Sequence, residues 1–142
     1  MATADTNDVL NRLLILHHRS LPMYLSYATP YPMTGDEKAR EVLGHIVASQ
    51  TEMVDRIGSL LIERNANVRH GEFPMYFTGL HDLSFEYLVK RMIGDQRRDI
   101  TQIEACVEKL GDDPLGKALA EESLGAAKAH LDALEELVPQ AA

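Results

Sequence analysis

The sequence predicts an all-α protein, a four-helix bundle made of two antiparallel hairpins joined by a long crossover. Proline and glycine divide the chain into four long segments whose apolar residues recur at helical spacing. Strand-like alternation is not sustained anywhere along the chain. The connection between the second and third segments is about 16 residues long, far beyond a tight turn. A chain of 142 residues normally makes one domain around one core, so residues 1–142 are expected to form a single unit.

The first helix is expected over residues 6–28, with Asp5 or Thr6 as N-cap. Leu10, Leu14, His17, Leu21, Tyr24 and Ala28 follow at steps of four and three, which puts His17 on the buried seam. His18, turned about 100° further, falls toward the seam's edge or the solvent. Pro22 lacks the N–H that would bond the His18 carbonyl, and a kink is expected there. "ATPYPMTGDE" then stops the helix, and Thr34 with Glu37 has the form of a capping box. The second helix, residues 36–67, carries Ala39, Leu43, Ile46, Gln50, Met53, Ile57 and Leu60 along one stripe, with Gln50 the polar exception.

The crossover, about 67–82, is apolar at Phe73, Met75, Tyr76 and Phe77 and should pack along the bundle. Extended at roughly 3.3 Å per residue it reaches about 50 Å, enough to run back along a helix of roughly 45 Å. The second and third helices can therefore be parallel. The third helix, residues 82–110, has Val89, Ile93, Gln96, Ile100, Ile103, Val107 and Leu110 on its seam, again with one glutamine among apolar residues. Gly111 suits a C-terminal cap, and Asp113 before Pro114 suits an N-cap followed by proline at the first helical position. The fourth helix, residues 114–138, shows a stripe of Ala120, Leu124, Ala127, Leu131, Leu134 and Val138, flanked by Ser123 and His130. Gly125, Ala126, Ala127 and Ala129 allow close helix approach.

Composition excludes several classes of function. A net charge of −8 argues against a nucleic-acid or anionic-membrane partner, since both reward clustered Lys and Arg. The basic cluster Lys90, Arg91, Arg97 and Arg98 alternates with Glu86, Asp95 and Asp99 and reads as an ion-paired, solvated face. Cys106, the only cysteine, excludes an internal disulfide and a cysteine-rich zinc site, and it reads as a packing residue. No apolar run reaches the roughly 18 residues a membrane helix needs, and "MATADTND" lacks the regions of a signal peptide. A cytoplasmic location is expected. The Met and Tyr residues around 23 to 33 suggest an exposed apolar patch, and hence a homo-oligomer, most simply a dimer.

Counting outward from the first hairpin loop, near residue 33, matches His17 with Gln50. Counting from the second, near residue 112, matches Gln96 with residues 127–130, which include His130. With the two hairpins level, His17, Gln50, Gln96 and His130 meet in the middle of the bundle. They make either a hydrogen-bonded polar layer that fixes helix register or a metal or small-molecule site between facing helices.

Two helical hairpins joined by a long crossover resemble the ferritin-like bundles, and the likeness covers nearly the whole chain. That resemblance implies a di-iron centre built from a Glu on each of two helices and a Glu-x-x-His pair on each of the others. Here the matching positions hold His17, Gln50 with Met53 in "QTEM", Gln96, and Ala127 with His130 in "AKAH". Only His130 fits. Neutral carboxamides and a thioether replace poorly the carboxylates that neutralise two hard cations, so a ferroxidase is not expected. The expectation is a lost or altered centre and no cofactor. The alternative is a single iron, zinc or manganese ion held by His17, His130 and one of the nearby carboxylates, Glu52 or Asp99.

"REVLGHIVASQTEMVDRI" is also similar to the second helix of the DinB-like bundles, a resemblance that implies a three-histidine metal site with His45 as a ligand. The paired late histidines of that family are missing, and Glu41, His45, Glu52 and Asp55 form a polar stripe that places His45 on the surface. No Gly-rich phosphate loop follows a strand, and there is no nucleophile elbow. His70 and His81 fall in the crossover or at its end, where they are expected to be solvated. The sequence thus points to a non-catalytic binding or structural protein, or else to a metalloprotein with an unconventional histidine site.

Overall fold

A computed structural model describes the backbone at residues 2–28, 37–75, 77 and 85–138, and the side chains at 6–25, 37–75, 77 and 87–138. The described residues are all-helical, in five helices: α1 (Ala2–His18), α2 (Leu21–Ala28), α3 (Glu37–Glu63), α4 (Phe85–Lys109) and α5 (Pro114–Glu136). Among the described residues no helix is long and apolar enough to cross a membrane.

The expected single first helix is two helices, broken at Arg19 and Ser20. Pro22 has no N–H to continue the ladder, and Ser20 turns that interruption into a new start. Its Oγ accepts from the Met23 N–H at 3.2 Å, and its carbonyl accepts from the Tyr24 N–H at 3.0 Å, the pattern of an N-cap. At the other end α1 begins at Ala2, so Thr6 lies inside the helix, buried, and is not its cap. The expected capping box at Thr34 and Glu37 lies partly outside the described residues, with Glu37 opening α3.

α3 stops at Glu63, earlier than the expected residue 67, in a Schellman turn. Asn65 takes the left-handed conformation at φ 58°, while the Ala66 N–H bonds the Leu61 carbonyl at 2.9 Å and the Asn65 N–H bonds that of Ile62 at 3.0 Å. Gly111, the expected cap of α4, is instead an ordinary turn residue whose N–H reaches the Glu108 carbonyl at 3.3 Å. The start of α5 is as the sequence predicts: Asp113 accepts from the Gly116 N–H at 3.0 Å, and proline opens the helix.

Side-chain pairs fix the directions. Asn7 meets Arg64, Leu14 meets Gly58 and Ser20 meets Gln50, so α1 with α2 runs antiparallel to α3. α4 and α5 are joined through the short turn at 110–113 and still meet far from it, at Gln96 with Ala127 and Arg97 with Glu135, so they are antiparallel. The segment after α3 runs back along α1. The Arg69 N–H donates to Asn11 Oδ1 at 2.8 Å, and Gly71, at φ 73°, lies against Ile15, where a Cβ would come within 3.1 Å of the Ile15 side chain. Phe73 and Phe77 close over Tyr24 with ring centroids 5.2 and 5.4 Å away. Met75, expected to pack, is 85% exposed.

The core consists of two apolar clusters stacked along the bundle. One gathers Leu10, Leu13, Leu14, Ile57, Leu61, Ile103 and Leu110, the other Leu21, Leu25, Ile46, Phe77, Val89, Met92 and Leu134. Between residues 16 and 21 of the first arm, 46 and 53 of α3, 93 and 103 of α4, and 127 and 134 of α5, the buried positions are polar.

Candidate functional site

The belt between the two apolar clusters contains His17, Ser20, Gln50, Gln96 and His130, and Ser123, on α5 between Ala120 and Ala127 of the first cluster, joins it through His17; all six are buried. It includes every residue of the expected central layer. His17 Nε2 shares a short hydrogen bond with Ser123 Oγ. Ser20 Oγ donates to Gln50 Oε1 at 2.7 Å, and Gln96 Nε2 donates to the Ala127 carbonyl at 3.0 Å. Expected direct bonds between histidine and glutamine do not form among the described residues: His17, Gln50 and Gln96 each meet another neutral partner. His17 and His130 lie near enough for a charge on His130 to be felt at His17. Burial, then His130, lowers the His17 pKa to about 4, and burial lowers that of His130. The belt is neutral at physiological pH. His130 Nδ1 is its one buried side-chain atom without a hydrogen-bond partner.

Two members were not read as part of this layer from the sequence. Ser20 had a signal, a serine two residues before a proline, which is how a helix begins. Ser123 and His130 were placed at the flank of the last helix, but α5 is rotated and buries Gly116, Ala120, Ser123, Ala127, His130 and Leu134. Leu124 and Leu131 are half-buried. Both stripes have helical spacing, and the more apolar one is not the one turned inward.

The candidate metal ligands do not converge. Glu52, two residues past Gln50 on α3, is turned out to solvent, while Asp99 faces a different space, between α4 and the α1/α2 break. Among the described residues no group of three or more His, Cys, Asp or Glu side chains is disposed to hold a metal ion. A di-iron centre does not fit the belt, whose side chains are neutral and of which His17, Gln50 and Gln96 are engaged with Ser123, Ser20 and the Ala127 carbonyl. His45 is exposed on α3 and shares a small groove with His130, Glu41 and Lys38. His81 lies outside the described residues, and His70 is exposed. Cys106 is buried, and burial raises its thiol pKa, as befits a packing residue.

Neither His18 nor Tyr24 is left to solvent. His18 is half-buried against the segment after α3, its ring 4.9 Å from His70 and stacked 5.9 Å from Phe73, and burial lowers its pKa. Tyr24 points inward, which removes it from the expected apolar surface patch; the side chains of residues 26–33 of that patch lie outside the described residues.

Beside the belt, a cleft of about 290 Å³ opens where α1 breaks from α2, facing α4. Ser20 and Gln96 belong to both the belt and the cleft wall. The wall also carries Arg12, Arg19, Asp95, Arg98, Asp99 and Gln102. Arg98 holds Asp95 at 2.8 Å and Arg12 holds Gln102 at 2.8 Å. Burial first, and Asp95 second, push the Asp99 carboxyl up to about 6 against the opposing pull of Arg98, Arg19 and Arg12. A perturbed acid in a cleft marks a candidate binding position.

No protein-family model, curated protein or solved structure matches the chain.

Proposed function

We propose that the chain is a divergent ferritin-like bundle, two antiparallel hairpins joined by a crossover, that works as a non-catalytic binding or structural protein. In this reading a neutral polar belt occupies the level at which the resemblance implies a carboxylate metal centre. The observation that carries it is the pairing of His17 with Ser123, Gln50 with Ser20 and Gln96 with the Ala127 carbonyl, midway between two apolar clusters. Burying an unanswered polar group costs about 1 to 3 kcal/mol, so partnered groups at this depth serve to hold the helices in one register. No carboxylate is buried in the belt to help neutralise a divalent cation, and burial keeps its two histidines neutral.

The test is to load the untagged chain separately with ferrous iron, zinc and manganese, remove the excess, and measure metal content and melting temperature. The reading expects no stoichiometric metal and an unchanged melting temperature. One equivalent retained by the parent chain and released by both His17→Ala and His130→Ala would refute it in favour of a histidine-held metal centre.

A further inference from the structure

We propose that the cleft between the α1/α2 break and α4 binds a small zwitterion of the α-amino acid kind, with Arg19 receiving its carboxylate and Asp99 its ammonium group. This goes beyond the function proposed above and does not rest on it, since the belt can be purely structural whether or not the cleft is filled. The volume of about 290 Å³ lies at the lower edge of ligand pockets, which run to about 300 to 1,000 Å³. It suits a solute of amino-acid size and is too small for a nucleotide.

The charges in the cleft sort into the satisfied and the unsatisfied. Arg98 and Asp95 answer each other, and Arg12 is engaged by Gln102. The side chains of Arg19 and Asp99 make no hydrogen bond or ion pair with any described residue, although each lines the cleft and the Arg19 charge reaches Asp99. From α1 and the break, the charged groups facing Asp99 are Arg12 and Arg19; from its own helix they are Asp95 and Arg98. Pro74 and Phe77, which complete the wall from the segment after α3, bring no charge. Burial penalises the unmet Asp99 carboxylate, and the half-buried Arg19 guanidinium lines the same cleft. A ligand with one charge of each sign satisfies both. A simple anion would leave Asp99 unmet, a simple cation would leave Arg19 unmet, and an uncharged solute would desolvate the two together. Ile15, Leu16, Leu21 and Met92 supply an apolar wall for an aliphatic side chain.

The test titrates the isotope-labelled full chain with L-leucine and follows backbone and side-chain amide resonances by NMR. Isocaproate, which lacks the ammonium group, and L-leucinamide, which lacks the carboxylate, are run in parallel. Saturable shifts centred on Arg19, Ser20, Gln96 and Gln102 are expected with L-leucine. Each analogue, and each of the variants Arg19→Gln and Asp99→Asn, should weaken the dissociation constant by about tenfold or more. Asp99→Asn removes an unanswered charge and should fold at least as well as the parent, so its weakened binding reports the contact and not misfolding. The proposal is overturned if glycine, L-methionine and L-leucine all fail to produce saturable shifts in the cleft up to about 20 mM. It is equally overturned if the analogues bind as well as L-leucine, or if inorganic phosphate saturates the cleft while the amino acids do not.

Discussion

The belt and the cleft share two side chains, Ser20 and Gln96, yet they treat polarity in opposite ways. In the belt the groups are neutral and deeply buried, and, His130 apart, each has a neutral hydrogen-bond partner. In the cleft the side chains of Arg19 and Asp99 are ionisable, face open volume and have no hydrogen-bond or ion-pair partner among the described residues. The difference separates two uses of buried polarity. Matched neutral groups restrict how helices can pack, whereas unmatched charged groups beside empty space lower stability and are best accounted for by something that enters.

Removing His17 tests the belt most severely. His17→Ala leaves a void between the clusters and strips the Ser123 hydroxyl of its partner, and we expect a loss of about 4 kcal/mol by urea denaturation. A loss below about 1 kcal/mol would mean that the belt has little structural role.

Acid sharpens the contrast because the two regions titrate with opposite sign. The His17 pKa is lowered from 6.5 to about 4, so its contribution is complete above 6.5 and is lost as pH falls toward 4, on the order of 3 kcal/mol in all. Asp99 is raised from 3.8 to about 6, so it destabilises the fold most above 6 and is relieved as pH falls toward 3.8. The parent chain should therefore lose stability only gently over this interval, and Asp99→Asn should lose it steeply. Denaturation curves for both proteins across the interval check this, and parallel curves would remove the assigned opposition.

The smallest effect expected is a gain. At about pH 7.5, Asp99→Asn should stabilise the protein by on the order of 2 kcal/mol, and the gain should vanish near pH 4. A destabilised variant would show that the carboxylate has a partner and that the cleft and the belt are not so different.

The sequence made the helical segments legible because each buries a long apolar stripe, and one polar residue in a stripe stands out. His17, Gln50 and Gln96 were visible for that reason. Partners are harder to read. Ser20, Ser123 and the Ala127 carbonyl acquire their roles from how far each helix is rotated and where the first one stops, neither of which a single stripe determines. Asn11 is a similar case: its buried Oδ1 holds the Arg69 N–H, a contact set by a segment that has no periodicity of its own. Asp99 looked like one more member of a solvated face, and its neighbours Asp95 and Arg98 are indeed ion-paired. Its burial follows from the gap that the α1/α2 break leaves opposite α4, which is a property of assembled helices.

At the pole of the molecule away from α2, Arg64 grips both oxygens of Asp113 at 2.7 and 2.8 Å and also reaches Asn7 at 3.0 Å. Asp113, held down to a pKa of about 2 chiefly by Arg64, also begins α5 and accepts a hydrogen bond from Thr6. A single clasp thus fastens both hairpins and the connecting turn at one extremity. Parting the helices at this end requires breaking a two-point ion pair first, so the end of α3 and the start of α5 separate only together with the loss of that grip.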